Sequence, residues 1–73
     1  MEDKELLLKL GSKIRYERMK HKLSQEELAE KANMNMRSIS TIECGLTDIR
    51  FTTLHKIANA LNVDVPTITD FKL

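Results

Sequence analysis

Seventy-three residues, 41% hydrophobic and 32% charged, are a globular composition with length for one core and none left for a second. Twelve Lys and Arg against eleven Asp and Glu leave a net charge of +1, so any site for a polyanion must come from where the charges stand, not from their sum. No run approaches the roughly 18 apolar residues of a membrane span, and the acidic start Met1-Glu2-Asp3 lacks the regions of a signal peptide, so a cytoplasmic protein without membrane contact is expected.

Gly11, Gly45 and Pro66 are too few to punctuate a strand-rich chain, while Leu, Ile, Ala, Glu and Lys recur throughout, so helices are expected. Leu7, Leu10 and Ile14, with Leu6 beside them, predict a first helix over about Asp3 to Lys20 with that stripe on the core. Ser24 followed by Glu27 reads as a capping box, each side chain accepting the other's free backbone N–H, so a second helix starts at Gln25 with Leu28, Ala29 and Ala32 inward. Asn33 tolerates the left-handed conformation that stops a helix, and Asn35 can cap a third from Met36 to about Cys44, with Ile39 and Ile42 inward. Gly45 ends it, Leu46 to Arg50 reads as a loop, and a fourth helix is predicted from Thr52 to Leu61 on Leu54, Ile57, Ala58 and Leu61, closed by Asn62. Asp64 caps a short last turn in which Pro66 takes a position that needs no N–H donor. The expected fold is all-α, a five-helix domain over residues 1–73 without repeat or linker.

Residues 25–44 thus read as helix, turn, helix, with Ala29 where the two cross closely. In a helix-turn-helix unit the second helix enters the DNA major groove while the first lies across the backbone. The residues Ile14 and Arg18, Leu23-Ser24-Gln25-Glu26-Glu27-Leu28-Ala29, Ile39, Ile42-Glu43, Gly45, Leu54, Ile57-Ala58, Leu61 and Val63 carry a resemblance. From Leu10 to Phe71 the chain is similar to the lambdoid-repressor-like (XRE) helix-turn-helix family of phage repressors, restriction-modification controllers and antitoxin-type regulators. It departs from that family's turn Gly, loop Pro and later Gly at Asn33, Ile49 and Asn62. Asn keeps positive φ within reach, whereas the lost proline predicts another path for the loop.

The resemblance implies that the N-terminal part of the third helix reads bases. With Ile39 and Ile42 inward, Met36, Arg37, Ser40 and Thr41 project outward as one patch. Arg37 leads, because a guanidinium can donate both hydrogen bonds to guanine, worth about 1–3 kcal/mol of discrimination. Met36 and Thr41 suit a thymine methyl. The resemblance also implies that Gln25 contacts a phosphate and braces a base-reading side chain, at a helix start whose free N–H groups attract anions. Asn35, Ser38, Thr47 and Arg50 are the other phosphate candidates. Arg18 and Glu43 occupy the positions of a structural ion pair in similar repressors, and Arg18 falls on the Leu7, Leu10, Ile14 stripe, where an unpaired charge would be costly. Lys20, His21 and Lys22 read as a solvated face.

Few cations on the reading side predict modest affinity per copy, and a homodimer on a palindrome, with reading helices about 34 Å apart, is the expected remedy. Residues 63–73 are the candidate dimerisation segment through Val65, Ile68, Phe71 and Leu73, more apolar side chains than one closing turn uses, with Val63 assigned to the core. The expected function is a dimeric regulator of transcription that binds double-stranded DNA, a restriction-modification controller or phage-type repressor. Neither cofactor, metal nor small-molecule effector is expected, nor a following effector domain. A competing use of the scaffold is a protein-interaction module or antitoxin-type partner. For an enzyme, Cys44, His21 and His55 lack any organising motif, and Cys44 reads as a small, partly buried residue that can form no internal disulfide.

Overall fold

The computed structural model describes residues 2–72, and among them five helices and no strand: α1 (Asp3–Lys20), α2 (Gln25–Lys31), α3 (Met36–Glu43), α4 (Phe51–Ala60) and α5 (Val65–Ile68). The starts follow local chemistry. Ser24 Oγ accepts from Glu27 N–H at 3.0 Å while Glu27 Oε1 accepts from Ser24 N–H at 2.9 Å, and Asn35 Oδ1 and Asp64 Oδ1 cap α3 and α5 through the N–H groups of Arg37 and Thr67. The fourth helix begins at Phe51, one residue earlier than Thr52, on Arg50, whose side chain makes no capping bond.

The ends share one device. Each of the first four helices stops at a residue with positive φ: Lys22 (57°), Asn33 (55°), Gly45 (69°) and Asn62 (63°). The next N–H then reaches back across the last turn: Leu23 to Arg18, Met34 to Ala29, Leu46 to Thr41 and Val63 to Ala58, at 2.8–3.1 Å. This closure satisfies carbonyls that a helix end leaves free, and it places an apolar residue against the helix it ends. Leu23, Met34 and Val63 pack on the core in this way, whereas Leu46 is 71% exposed.

One core joins all five helices, with Ile14, Leu28, Ile39, Ile57, Leu61 and Ile68 fully buried. Each such side chain stabilises the fold by about 1.5–3 kcal/mol. Ile49 packs against this core, so the loop before α4, without a proline, is anchored by an apolar side chain. α1 comes close to α3 at Gly11. A Cβ there would stand 2.4 Å from the Ile42 carbonyl oxygen and 2.6 Å from that of Glu43, so α1 and the end of α3 meet backbone to backbone.

Two expectations are corrected, those for Ile68 and Cys44. Ile68 is 0% exposed under the core and has no surface to offer a second chain. Phe71 packs on the core and turns its remaining surface into a trough rimmed by Lys9, Lys13 and Lys72. Cys44 is exposed at the C-cap of α3, because the helix rotates it to the outward side shared with Ser40. Leu73 lies outside the described residues.

Candidate nucleic-acid interface

α3 is held from behind and free in front. Ile39 and Ile42 bury its inner side, and the opposite side presents Met36, half exposed at 50%, and an exposed Arg37. Ser40 and Thr41 are half-buried on the same outward side. Thr41 Oγ1 donates to the Ser38 carbonyl at 3.0 Å, which directs its methyl and leaves its oxygen able to accept.

Behind the helix, Arg18 and Glu43 meet as a fork, Nε to Oε2 at 2.7 Å and Nη2 to Oε1 at 3.1 Å, with the side chains 12% and 2% exposed. The third nitrogen of Arg18, Nη1, donates to the Leu23 carbonyl at 2.7 Å, fastening α1 to the turn before α2. Gln25 Nε2 donates to Glu43 Oε1 at 3.1 Å. One carboxylate therefore ties α1, α2 and α3 together, and the buried charge is compensated by three donors. Spacing alone did not reveal this use of Gln25. One of its two amide N–H groups goes to Glu43, so the other, together with its backbone N–H in the first turn of α2, can still be aimed at a phosphate.

Beside α3 runs a shallow groove of about 280 Å³ whose walls include Ser38, Thr41, Thr47, Arg50 and Thr53. It brings together three of the five phosphate candidates with one base-reading candidate. Asn35 stands apart at the start of α3, with its Oδ1 committed to capping and its amide NH2 free to donate. Thr53, which the sequence reading did not single out, lines the same groove. Asp48 also lines the groove and offsets Arg50, so the charge of this side stays low. His21 and His55 are both exposed on other elements, and no group of three or more His, Cys, Asp or Glu able to hold a metal occurs among the described residues. No helix among them is long and apolar enough to cross a membrane.

The fold is similar to that of solved regulators. The restriction-modification controller protein C.AhdI from Aeromonas hydrophila superposes with a TM-score of 0.84 at 27% identity, covering 85% of this chain and 94% of that one. The wild-type restriction-modification controller C.Esp1396I matches with a TM-score of 0.81 at 28% identity, over 88% of this chain and 86% of the other. The hypothetical transcription factor NHTF from Neisseria gives a TM-score of 0.85 at 26% identity over 94% and 79% of the two chains. Among curated protein sequences, none matches. The sequence pattern of the helix-turn-helix family HTH_3 matches residues 14–68, a span that contains both α2 and α3 and the network that joins them. The chain therefore belongs to the helix-turn-helix family HTH_3, a family of DNA-binding regulators and not of enzymes.

Proposed function

We propose that two copies of the chain bind a palindromic operator in double-stranded DNA, each laying α3 in the major groove, and that occupancy of this site controls transcription in the cytoplasm. The observation that carries the reading is the outward face of α3, held in place by the buried Arg18–Glu43–Gln25 network. On this reading Arg37 donates to guanine, and Met36, Ser40 and Thr41 contact neighbouring base edges and methyl groups. Gln25, Asn35, Ser38, Thr47 and Arg50 hold the flanking phosphates and set the register. The likeness to the controller proteins C.AhdI and C.Esp1396I favours a restriction-modification controller, with a phage-type repressor as the related use.

Dimensions argue for two copies. The molecule measures 32 × 22 × 21 Å, so one α3 cannot serve two successive major grooves about 34 Å apart. Val65, half-buried on α5, and Leu73 remain as interface residues from the C-terminal segment, and we add Phe51, 69% exposed at the start of α4. Selection of binding sites from a random DNA pool tests the proposal. An enriched inverted repeat, bound by the wild type and bound about 10-fold or more weakly by a folded Arg37→Ala variant, is the expected result. A pool that never enriches, or an Arg37→Ala variant with unchanged site preference, would overturn it.

A further inference from the structure

The outer side of α1 carries a surface that the DNA reading does not use. Leu8, Ser12, Tyr16 and Met19 follow one another at spacings of four, four and three, and Leu8, Tyr16 and Met19 are 41%, 58% and 57% exposed. They form one stripe about 16 Å long, from the helical rise of 1.5 Å per residue. At its N-terminal end the stripe opens into a trough of about 410 Å³ between α1 and the C-terminal segment. Leu8 and Phe71 supply its apolar walls, and Lys9, Lys13 and Lys72 its rim. Lys9 Nζ donates to the Lys72 carbonyl at 2.7 Å, which joins the two sides. Lys13 lies 5.1 Å from the centre of the Tyr16 ring and 3.5 Å from the Glu17 carboxylate.

Charge on this side is predominantly positive. Glu17 is buried beneath Lys13, and Asp70, although next to Phe71, does not line the trough. Glu5, one turn before Leu8, is the acid that shares the outer side, while Arg15 and Lys20 continue the basic flanks toward Met19. With a net charge of only +1 for the whole chain, this concentration is balanced by acids elsewhere, such as Glu26, Glu27 and Glu30 on α2.

We infer that this face binds an acidic amphipathic peptide segment of a partner protein, its apolar side chains lying along Leu8, Tyr16 and Phe71 and its carboxylates meeting the lysines of the rim. A second copy of the chain is a poor occupant, because a two-fold contact here would bring two lysine-rimmed faces of the same sign together. A small carboxylate is poor as well, since binding sites for small ligands bury some 70–90% of the ligand and this trough is open along its length. An extended segment covers the whole stripe and neutralises both flanks.

The test uses the full chain and three probes: a helical peptide with Leu and Phe on one face and Glu on both flanks, its Glu→Gln counterpart, and phosphatidylcholine vesicles containing phosphatidylserine. The acidic peptide should shift the backbone-amide NMR signals of residues 8–16 and 71–72 and leave those of α3 in place. The Gln counterpart should bind about 10-fold more weakly or worse. Lys9→Glu with Lys72→Glu should weaken the acidic peptide by a similar factor in a chain whose circular-dichroism melt shows it folded, and Tyr16→Ser provides an independent apolar variant should charge reversal disturb the fold. Equal binding of the Gln counterpart, shifts centred on α3, or vesicles that bind the chain when the acidic peptide does not would each overturn the inference.

Discussion

Glu43 illustrates what a single residue decides. Arg18 and Gln25 both depend on its carboxylate, so Glu43→Ala leaves a guanidinium in a nearly closed space with the Leu23 carbonyl but no counter-charge. Removing one partner of a buried ion pair costs about 3–5 kcal/mol, and a thermal or urea melt of the variant should show a loss of that size. The pairing of Arg18 with Glu43 was legible from the stripe and the family pattern. The part played by Gln25 was not, because one side chain facing either a phosphate or a carboxylate has the same spacing. Lys22 is the opposite case, a residue whose substitution should help. At φ 57° it holds a left-handed conformation that costs a non-glycine residue roughly 1–2 kcal/mol, while glycine gives back part of that gain as chain entropy. Lys22→Gly should therefore raise stability by about 0.5–1 kcal/mol, measured as the shift in a denaturant midpoint.

At the scale of the helices, caps and crossings carry the fold. Ser24, Asn35, Asp64, Asn33, Gly45 and Asn62 announce where helices start and stop, since each supplies locally what a helix end lacks. The crossing at Gly11 is not announced, because closeness between α1 and α3 is set by residues far apart in the chain. Gly11→Ala places a methyl group against two backbone oxygens that cannot move aside, so it should destabilise by about 3 kcal/mol or more, the upper end of overpacking, in a calorimetric melt. Two caps also shape the response to acid. The backbone N–H of Ser24 holds the Glu27 carboxyl below its ordinary 4.5, and the Thr67 hydroxyl holds that of Asp64 below 3.8. Because both values are depressed in the folded chain, the stabilisation is complete above the ordinary values and drains away as pH falls through the folded ones. Melting temperature should fall between about pH 5 and pH 3, and Glu27→Gln with Asp64→Asn should flatten that fall.

For the whole molecule the question is how so small a reader gains affinity. The proposed contacts are mostly neutral hydroxyls and amides, and Arg50 is the cation among the phosphate candidates. Each neutralised phosphate contributes about 0.9 to the slope of log affinity against log salt. Arg50→Gln should lower that slope by about two units if two copies bind the selected site and by about one if a single copy does, a filter-binding salt titration that counts protomers. Helix order, caps, most of the buried face and the outward patch on α3 were determined by the sequence itself, because spacing along a helix and hydrogen bonding at its ends are local. Which apolar residues remain outside was decided only by tertiary packing. Ile68 vanished into the core, Phe71 turned toward the lysines of α1, and Leu46, Phe51 and Cys44 were left facing water. Exposure of that kind depends on how five short elements share one interior, a quantity that no stretch of chain possesses alone.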